Sequence, residues 1–415
     1  MRLNRPLAFI ASAAIAMTVL APAQAAPGAR GNNPLKGQVV PATLFGMHVM
    51  NAEIGSWPTI PIGSLRLWDN QTSWANIEKV QGTFDWTNLD KAVATSQAHG
   101  VNDILMVLAG TPSWATNDPS PDALPQPGAA GMPKDFAWWN QWVTAVVTRY
   151  KGKITSYQPW NEANLSTFST GSPAQMADLT KRAYDIIKRI DPAATVVAPS
   201  TGTRLGGPFK KFYPAFLEEL GSKGWPIDVW AAHTYPASLG TPLDQAALAQ
   251  QWQDMLVKAH APTKPMWETE DNYGLKGPGP KNPDVDIDDT RASSWVARTY
   301  LDALNMGISR VYWYRWEPFN DLWGIQMFDK SLGAKAYASM EEWIVGATFN
   351  GCSTRGRQVA CAFSKAGKPF TIHYSTNDKR ITVKTKGATE VCTLVGGCSA
   401  LSKKVISTHV PIKIG

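Results

Sequence analysis

The sequence predicts an α/β chain folded as a (β/α)8 TIM barrel with a small C-terminal antiparallel β module. Three observations carry that prediction. Eight short apolar or β-branched runs recur between residues 43 and 316, amphipathic stretches of helical period separate nearly all of them, and from Gly346 onward the helical period gives way to short alternating runs. A doubly wound sheet is the alternative, but it usually has fewer repeats, and no GxGxxG follows the first strand.

In order, the strands are expected at 43–48, 63–69, 102–110, 154–162, 195–200, 227–233, 264–270 and 309–316. Helices are expected at 86–99, 134–150, 172–190, 209–220, 243–259, 289–306 and 331–344. The Pro/Gly-rich stretches 117–133 and 274–288 read as long loops after strands three and seven, on the face where barrel enzymes build their sites. The C-terminal runs VACAFS, FTIHYS, RITVKT and VISTHVPIKI alternate as half-buried strands do.

The chain therefore divides into a leader (1–25), a Gly/Pro-rich lead segment (26–41), the barrel (42–345) and the β module (346–415). The leader has a basic start, an apolar run from Leu7 to Leu20 and a small-residue ending, Ala23-Gln24-Ala25, and it reads as an export signal cleaved near Ala25. No segment suits a stable membrane span, so the expected location is extracellular or at the cell envelope.

At 415 residues, 44% hydrophobic and 18% charged, the composition excludes disorder, collagen and coiled coil as the main character. The net charge of +7 is concentrated beyond residue 350, where eleven Lys and Arg face only Asp378 and Glu390. A solvated basic surface is the plain reading of that excess, and contact with an anionic surface is the other. No nucleic-acid partner is expected. The four cysteines, Cys352, Cys361, Cys392 and Cys398, also lie there, and an even number in an exported chain points to disulfides. Three pairings are possible; the local ones, 352 with 361 and 392 with 398, are favoured because each spans a hairpin-like stretch. A zinc site lacks the CxxC spacing.

Glu162, in Pro159-Trp160-Asn161-Glu162, ends strand four, and Glu270, in Trp267-Glu268-Thr269-Glu270, ends strand seven. Barrel geometry sets these tips across the mouth from each other, and two carboxyls over a gap are what glycosidic cleavage needs: one to protonate the leaving oxygen, one to attack the anomeric carbon. Packing by Trp160 would raise the pKa of Glu162, Arg66 would keep Glu270 ionised, Asn161 would hold a sugar hydroxyl, and His233 and Tyr235 would orient Glu270. Glu268 alternates with Glu270, so the same facing one layer deeper is expected of it.

Asn161-Glu162, His233-x-Tyr235 and Thr269-Glu270 resemble the pattern of the retaining glycoside hydrolases of clan A, most closely family 39. The run from Trp74 through Glu78, Gly82, Phe84-Asp85-Trp86 to Leu89-Asp90, followed by Gly110-Thr111-Pro112-Ser113-Trp114-Ala115, is similar to the strand-two and strand-three region of that family, and the likeness covers about residues 40 to 345. The resemblance implies Glu162 as acid/base and Glu270 as nucleophile, acting with retention through a glycosyl-enzyme; it carries over no substrate, and an oligo- or polysaccharide is the expectation from the site itself.

His48, Trp114, Trp313, Trp316, Glu317 and Trp323 are further candidates for substrate contact at or after strand ends, with Asn320 and Asp321 beside them. Trp138, Trp139 and Trp142 read as helix packing. All 18 tryptophans fall between Trp57 and Trp343. There is no HExxH, Walker loop or GxSxG elbow, so neither a metal nor another cofactor is expected. The number of strand-end tryptophans favours endo action. Exo-acting cleavage, as by a β-xylosidase, a catalytically silent glycan-binding barrel and a metal-dependent hydrolase are the alternatives.

Overall fold

A computed structural model describes residues 33–118, 120–317, 322–385, 387–402 and 404–415. The leader, the start of the lead segment, Asn320 and Asp321 lie outside the described residues.

Eight parallel strands form the central sheet: β1 (Phe45–Val49), β2 (Ser64–Leu67), β3 (Ile104–Val107), β4 (Ser156–Gln158), β5 (Thr195–Val196), β6 (Trp230–His233), β7 (Met266–Asp271) and β8 (Ile308–Trp316). Their order is β5-β4-β3-β2-β1-β8-β7-β6, and a parallel bridge between Val197 and Val229 joins the two ends into a ring. Helices α1 (Trp74–Ile77), α2 (Thr87–Ala98), α3 (Phe136–Arg149), α4 (Pro173–Ile190), α5 (Gly206–Ser222), α6 (Pro242–Lys258), α7 (Thr290–Asn305) and α8 (Leu332–Ile344) accompany it. Each expected strand and helix is present. The short α1 was not foreseen, and β1 reaches β2 through a single 3-10 turn at Ala52–Ile54.

Helix α4 illustrates the local code. Ser172 and Gln175 form a reciprocal capping box, Pro173 occupies the first turn, and Met176, Leu179, Ala183, Ile186 and Ile187 make the buried stripe. The barrel interior is apolar in its middle, where Leu105, Val197, Val229, Ala231, Trp267 and Tyr312 meet. Gly46 makes room for the Tyr312 ring: a Cβ there would lie 2.6 Å from Tyr312 Cδ1. Below that layer Arg310 stacks on Trp267 at 3.9 Å and pairs with Asp103, so the bottom is closed by a salt bridge.

The C-terminal residues form a six-stranded antiparallel sheet and a separate two-stranded one. The larger holds β9 (Thr348–Arg355), β10 (Gln358–Lys365), β11 (Lys368–Ser375), β13 (Glu390–Thr393), β14 (Gly397–Ala400) and β16 (Ile412–Ile414), and the smaller holds β12 (Ile381–Lys384) and β15 (Val405–Thr408). Cys352 is bonded to Cys361 across β9 and β10, and Cys392 to Cys398 across β13 and β14, the two hairpin pairings favoured above.

The lead segment is tied to this sheet: Gly37 N donates to Phe349 O at 2.7 Å and Val40 N to Ala347 O at 2.8 Å. Helix α7 is buried on nearly every side because the sheet covers its outer face, with Arg298 donating to Thr376 O and Tyr374 to Asp302. Among the described residues no helix is long and apolar enough to cross a membrane.

Candidate active site

The C-terminal tips of the strands open on a cleft of about 790 Å³, with Glu162 and Glu270 both in its lining. Glu162 sits just past β4 in a turn where its φ is +40°, a left-handed conformation that costs a non-glycine residue about 1–3 kcal/mol. The turn is held in place: Ser200 Oγ accepts the Glu162 N–H at 3.0 Å, and Asn164 exchanges two 2.9 Å bonds with the Gly202 backbone. A Cβ on Gly202 would stand 2.7 Å from Glu162 Oε1, so glycine lets this carboxyl lie against the backbone of the segment that follows β5.

Glu270 is aimed by an irregularity. Ala232 pairs with Glu268 but His233 pairs with Glu270, and on the other side Glu268 and Asp271 pair with Val311 and Trp313. One extra residue therefore sits in β7, a bulge that turns Thr269 and Glu270 both toward the barrel axis. This corrects the expectation for Glu268, which does not share Glu270's facing: its carboxyl accepts from Thr234 Oγ1 at 2.5 Å and lies with Asp271 around Gln245 of α6.

Arg66 is fully buried beneath the cleft and binds in three directions: NH1 to Glu270 Oε1 at 2.6 Å, NH2 to Asn161 Oδ1 at 2.8 Å, and Nε and NH2 to Gln158 Oε1 at 3.1 and 2.7 Å. Gln158 and Asn161 are neutral, so the carboxylate in direct contact with the guanidinium is that of Glu270. Tyr235 donates to Glu270 Oε2 at 3.0 Å. His233 Nδ1 lies 3.2 Å from Glu162 Oε1 and 3.5 Å from Glu270 Oε2, and its Nε2 is 3.0 Å from Thr269 Oγ1. Burial pushes the His233 pKa down to about 3, so the ring is neutral, and the flanking carboxyls assign its proton to Nδ1. The two carboxylate oxygens are then separated by no more than those two distances end to end, roughly 6.7 Å.

Burial pushes Glu162 up to about 7, opposed by the charges of Arg204 and Arg66. Trp160 does not supply that environment as expected: its ring packs on Trp139 and its indole N–H donates to Phe168 O at 2.7 Å. Glu270 is also raised by burial, which outweighs the expected pull of Arg66. The two differ in partners. Glu270 has a guanidinium and a phenol in hydrogen-bond contact, whereas Glu162, among the described residues, has only His233.

Of the residues singled out for substrate contact, Asn161, Trp323, His233 and Tyr235 line the cleft. Asn161 Nδ2 and Trp323 Nε1, on residues of that lining, are buried without a partner among the described residues. The loops after β3 and β7 contribute Leu124, Pro125 and Leu275 to Pro278, the walls anticipated from their length.

His48 lies under the cleft rather than in it, with Nε2 3.1 Å from Thr269 O and 3.2 Å from Arg66. Trp114, Trp313, Trp316 and Glu317 do not line the cleft. Trp114 donates to Glu78 O and packs on Trp74 and Trp138. Trp313 faces the helix layer at Tyr273, because on β8 it is Tyr312 and Tyr314 that face the axis. Trp316 is buried in the same outer core, paired with Val49 and Met327, and Glu317 accepts from Ser56 at 2.6 Å. The cleft residues missed were Trp68, Asp69, Phe168, Arg204 and Tyr314. Trp68 and Asp69 follow directly on Arg66's strand, and Tyr314 was recoverable from β8 parity.

No family model and no curated protein matches the chain. Solved structures do. A family 39 glycoside hydrolase from Bacteroides cellulosilyticus superposes with a TM-score of 0.66 at 18% identity, over 90% of this chain and 80% of that one. A monomeric β-xylosidase from Caulobacter crescentus gives 0.61 at 14% identity, covering 94% and 97%. A family 30 endoxylanase from Clostridium papyrosolvens gives 0.57 at 14%, covering 92% and 98%. At these identities the likeness establishes the fold.

Proposed function

We propose that the chain is an exported retaining glycoside hydrolase of clan A, most like family 39, that cleaves an oligo- or polysaccharide. The observation that carries this reading is the meeting of Glu162 and Glu270, 108 positions apart in sequence, over one histidine in one cleft, with a guanidinium on only one of them. A separation of at most roughly 6.7 Å between Glu162 Oε1 and Glu270 Oε2 accommodates the ~5–5.5 Å carboxyl spacing of retaining enzymes and leaves out most of the ~6.5–9.5 Å range in which an inverting water fits.

Glu162, whose proton is held to about pH 7, gives it to the leaving oxygen as the glycosidic C–O bond breaks. Glu270, its ionised form stabilised by Arg66 and Tyr235, attacks the anomeric carbon and forms an ester. Glu162, now a carboxylate, takes a proton from water, and that water's oxygen displaces Glu270 at the same carbon. Asn161 Nδ2 supplies a donor for the 2-hydroxyl, a contact that strengthens as positive charge develops. Trp68, Phe168 and Trp323 give the cleft several aromatic faces, which favours binding of several sugars and endo cleavage. The two disulfides and the leader pattern favour a location outside the cytoplasm.

A screen of aryl glycosides and purified polysaccharides with product-size analysis tests this, run beside Glu270→Gln. Hydrolysis by the parent and none by the variant is expected, with oligosaccharide products from a polymer. Turnover unaffected by Glu270→Gln, or none on any glycan, overturns the reading.

A further inference from the structure

Among the described residues one cation of the cleft, Arg204, stands near Glu162 without forming a contact ion pair. Arg204, half-buried on the segment between β5 and α5, donates through NH1 to Gly277 O at 2.6 Å and Leu275 O at 3.3 Å. Among the described residues it has no carboxylate partner, and its Nε and NH2 make no hydrogen bond. Arg66 is different: its donors are taken up by Glu270, Asn161 and Gln158. Lys276 stands on the same wall as Arg204, its ammonium 2.9 Å from Asp284, while the acid Asp69 lies across the cleft on the β2 side. With Lys276 paired to Asp284, the cation on this wall that lacks an ion pair among the described residues is Arg204.

A guanidinium partly withdrawn from water without a counter-charge is costly, and one pinned by two carbonyls has already lost much of its side-chain freedom. What remains free on it is part of a planar fork that matches a carboxylate or sulfate. From this we infer that Arg204 is a specificity determinant, selecting glycans that carry an anionic group, a uronate carboxylate or a sulfate ester, on the sugar bound beside Glu162. The inference rests on the glycosidase reading of the cleft and goes further in naming the substrate class. It also resolves a conflict in the site. Arg204 is the strongest of the charges that pull the Glu162 pKa down, against its work as an acid, and an anion bound at Arg204 cancels that pull when substrate is present.

The test is binding of the Glu270→Gln protein to a printed array holding neutral, uronate-bearing and sulfated oligosaccharides on matched backbones. Retention of an anionic series at least about tenfold above its neutral counterpart is expected, lost by about tenfold or more on adding Arg204→Met and partly kept with Arg204→Lys, which preserves the charge and guards against misfolding. The uronate and sulfate series tell the two sources apart. Equal binding of neutral and anionic members, binding confined to neutral glycans or absent altogether, or an Arg204→Met protein that keeps the anionic preference overturns it. Hydrolysis of a neutral glycan by the parent at a kcat/KM equal to or above that of its anionic counterpart would leave the glycosidase reading standing while this inference fell.

Discussion

Strand β7 sends acids to both of its sides, and the two groups differ in surroundings far more than in depth. Toward the axis, Glu270 meets Arg66, Tyr235 and the cleft; toward the helices, Glu268 and Asp271 share Gln245 and are sealed by α6 and α7. Burial raises the pKa on both sides, Glu268 to about 7. Perturbation by burial therefore does not mark a catalytic carboxyl. A directed cation and access to a cleft do.

The largest expected contrast is between the two glutamates of that strand. Glu270→Gln should lower kcat by about 10⁴-fold or more, while Glu268→Gln leaves it within about twofold, both read by initial rates on one substrate. Glu268→Gln should act on stability instead. The folded protein holds that proton more tightly than the unfolded chain, so wild-type stability falls as pH rises from 4.5 through about 7. The variant should flatten the dependence of Tm on pH over that window by a few degrees. Equal kinetic losses at 268 and 270 would erase the distinction.

Next in size is the cation. Arg66→Met should cost about 10²-fold in kcat, because it removes the charge facing Glu270 and releases Asn161. Gln158→Glu sharpens the same point: a carboxylate at 158 would share the guanidinium, so the acidic limb of the pH–rate profile should move to higher pH by more than the alkaline limb, because Arg66 touches Glu270 and acts on Glu162 only through space. The alkaline limb itself belongs to Glu162, and kcat/KM should decline as pH rises through about 7. A profile flat from pH 6 to 9 would remove Glu162 as the acid.

The smallest effect separates two tryptophans. Trp323→Ala should raise KM by roughly fivefold, whereas Trp114→Ala should leave KM alone and lower Tm, since its indole holds Glu78 O rather than facing the cleft.

The barrel was legible because its strands and helices follow two distinct periods, and the glutamate pair because each stands at a strand end where barrel geometry is predictable. The errors came where periodicity breaks or a partner lies far away in sequence. The bulge at Thr269 inverts the expected facing of Glu268, and no residue type in Trp267 to Asp271 announces it. Trp313 was favoured for its chemistry over Tyr314, though parity with the inward Tyr312 would have chosen Tyr314; Trp316 shares that parity but is packed in the outer core at the strand's end. Arg204 was passed over because its meaning lies in what it lacks, a carboxylate in hydrogen-bond contact, and that is visible only once the chain is folded.

The most direct test is to identify the residue that becomes covalently attached to sugar. Once the screen has supplied a substrate, its 2-deoxy-2-fluoro glycoside with a good leaving group should inactivate the protein one to one, and peptide mapping by mass spectrometry should place the added mass on Glu270. A label on Glu162, Glu268 or any other residue, or release of product with inverted anomeric configuration, would contradict the account.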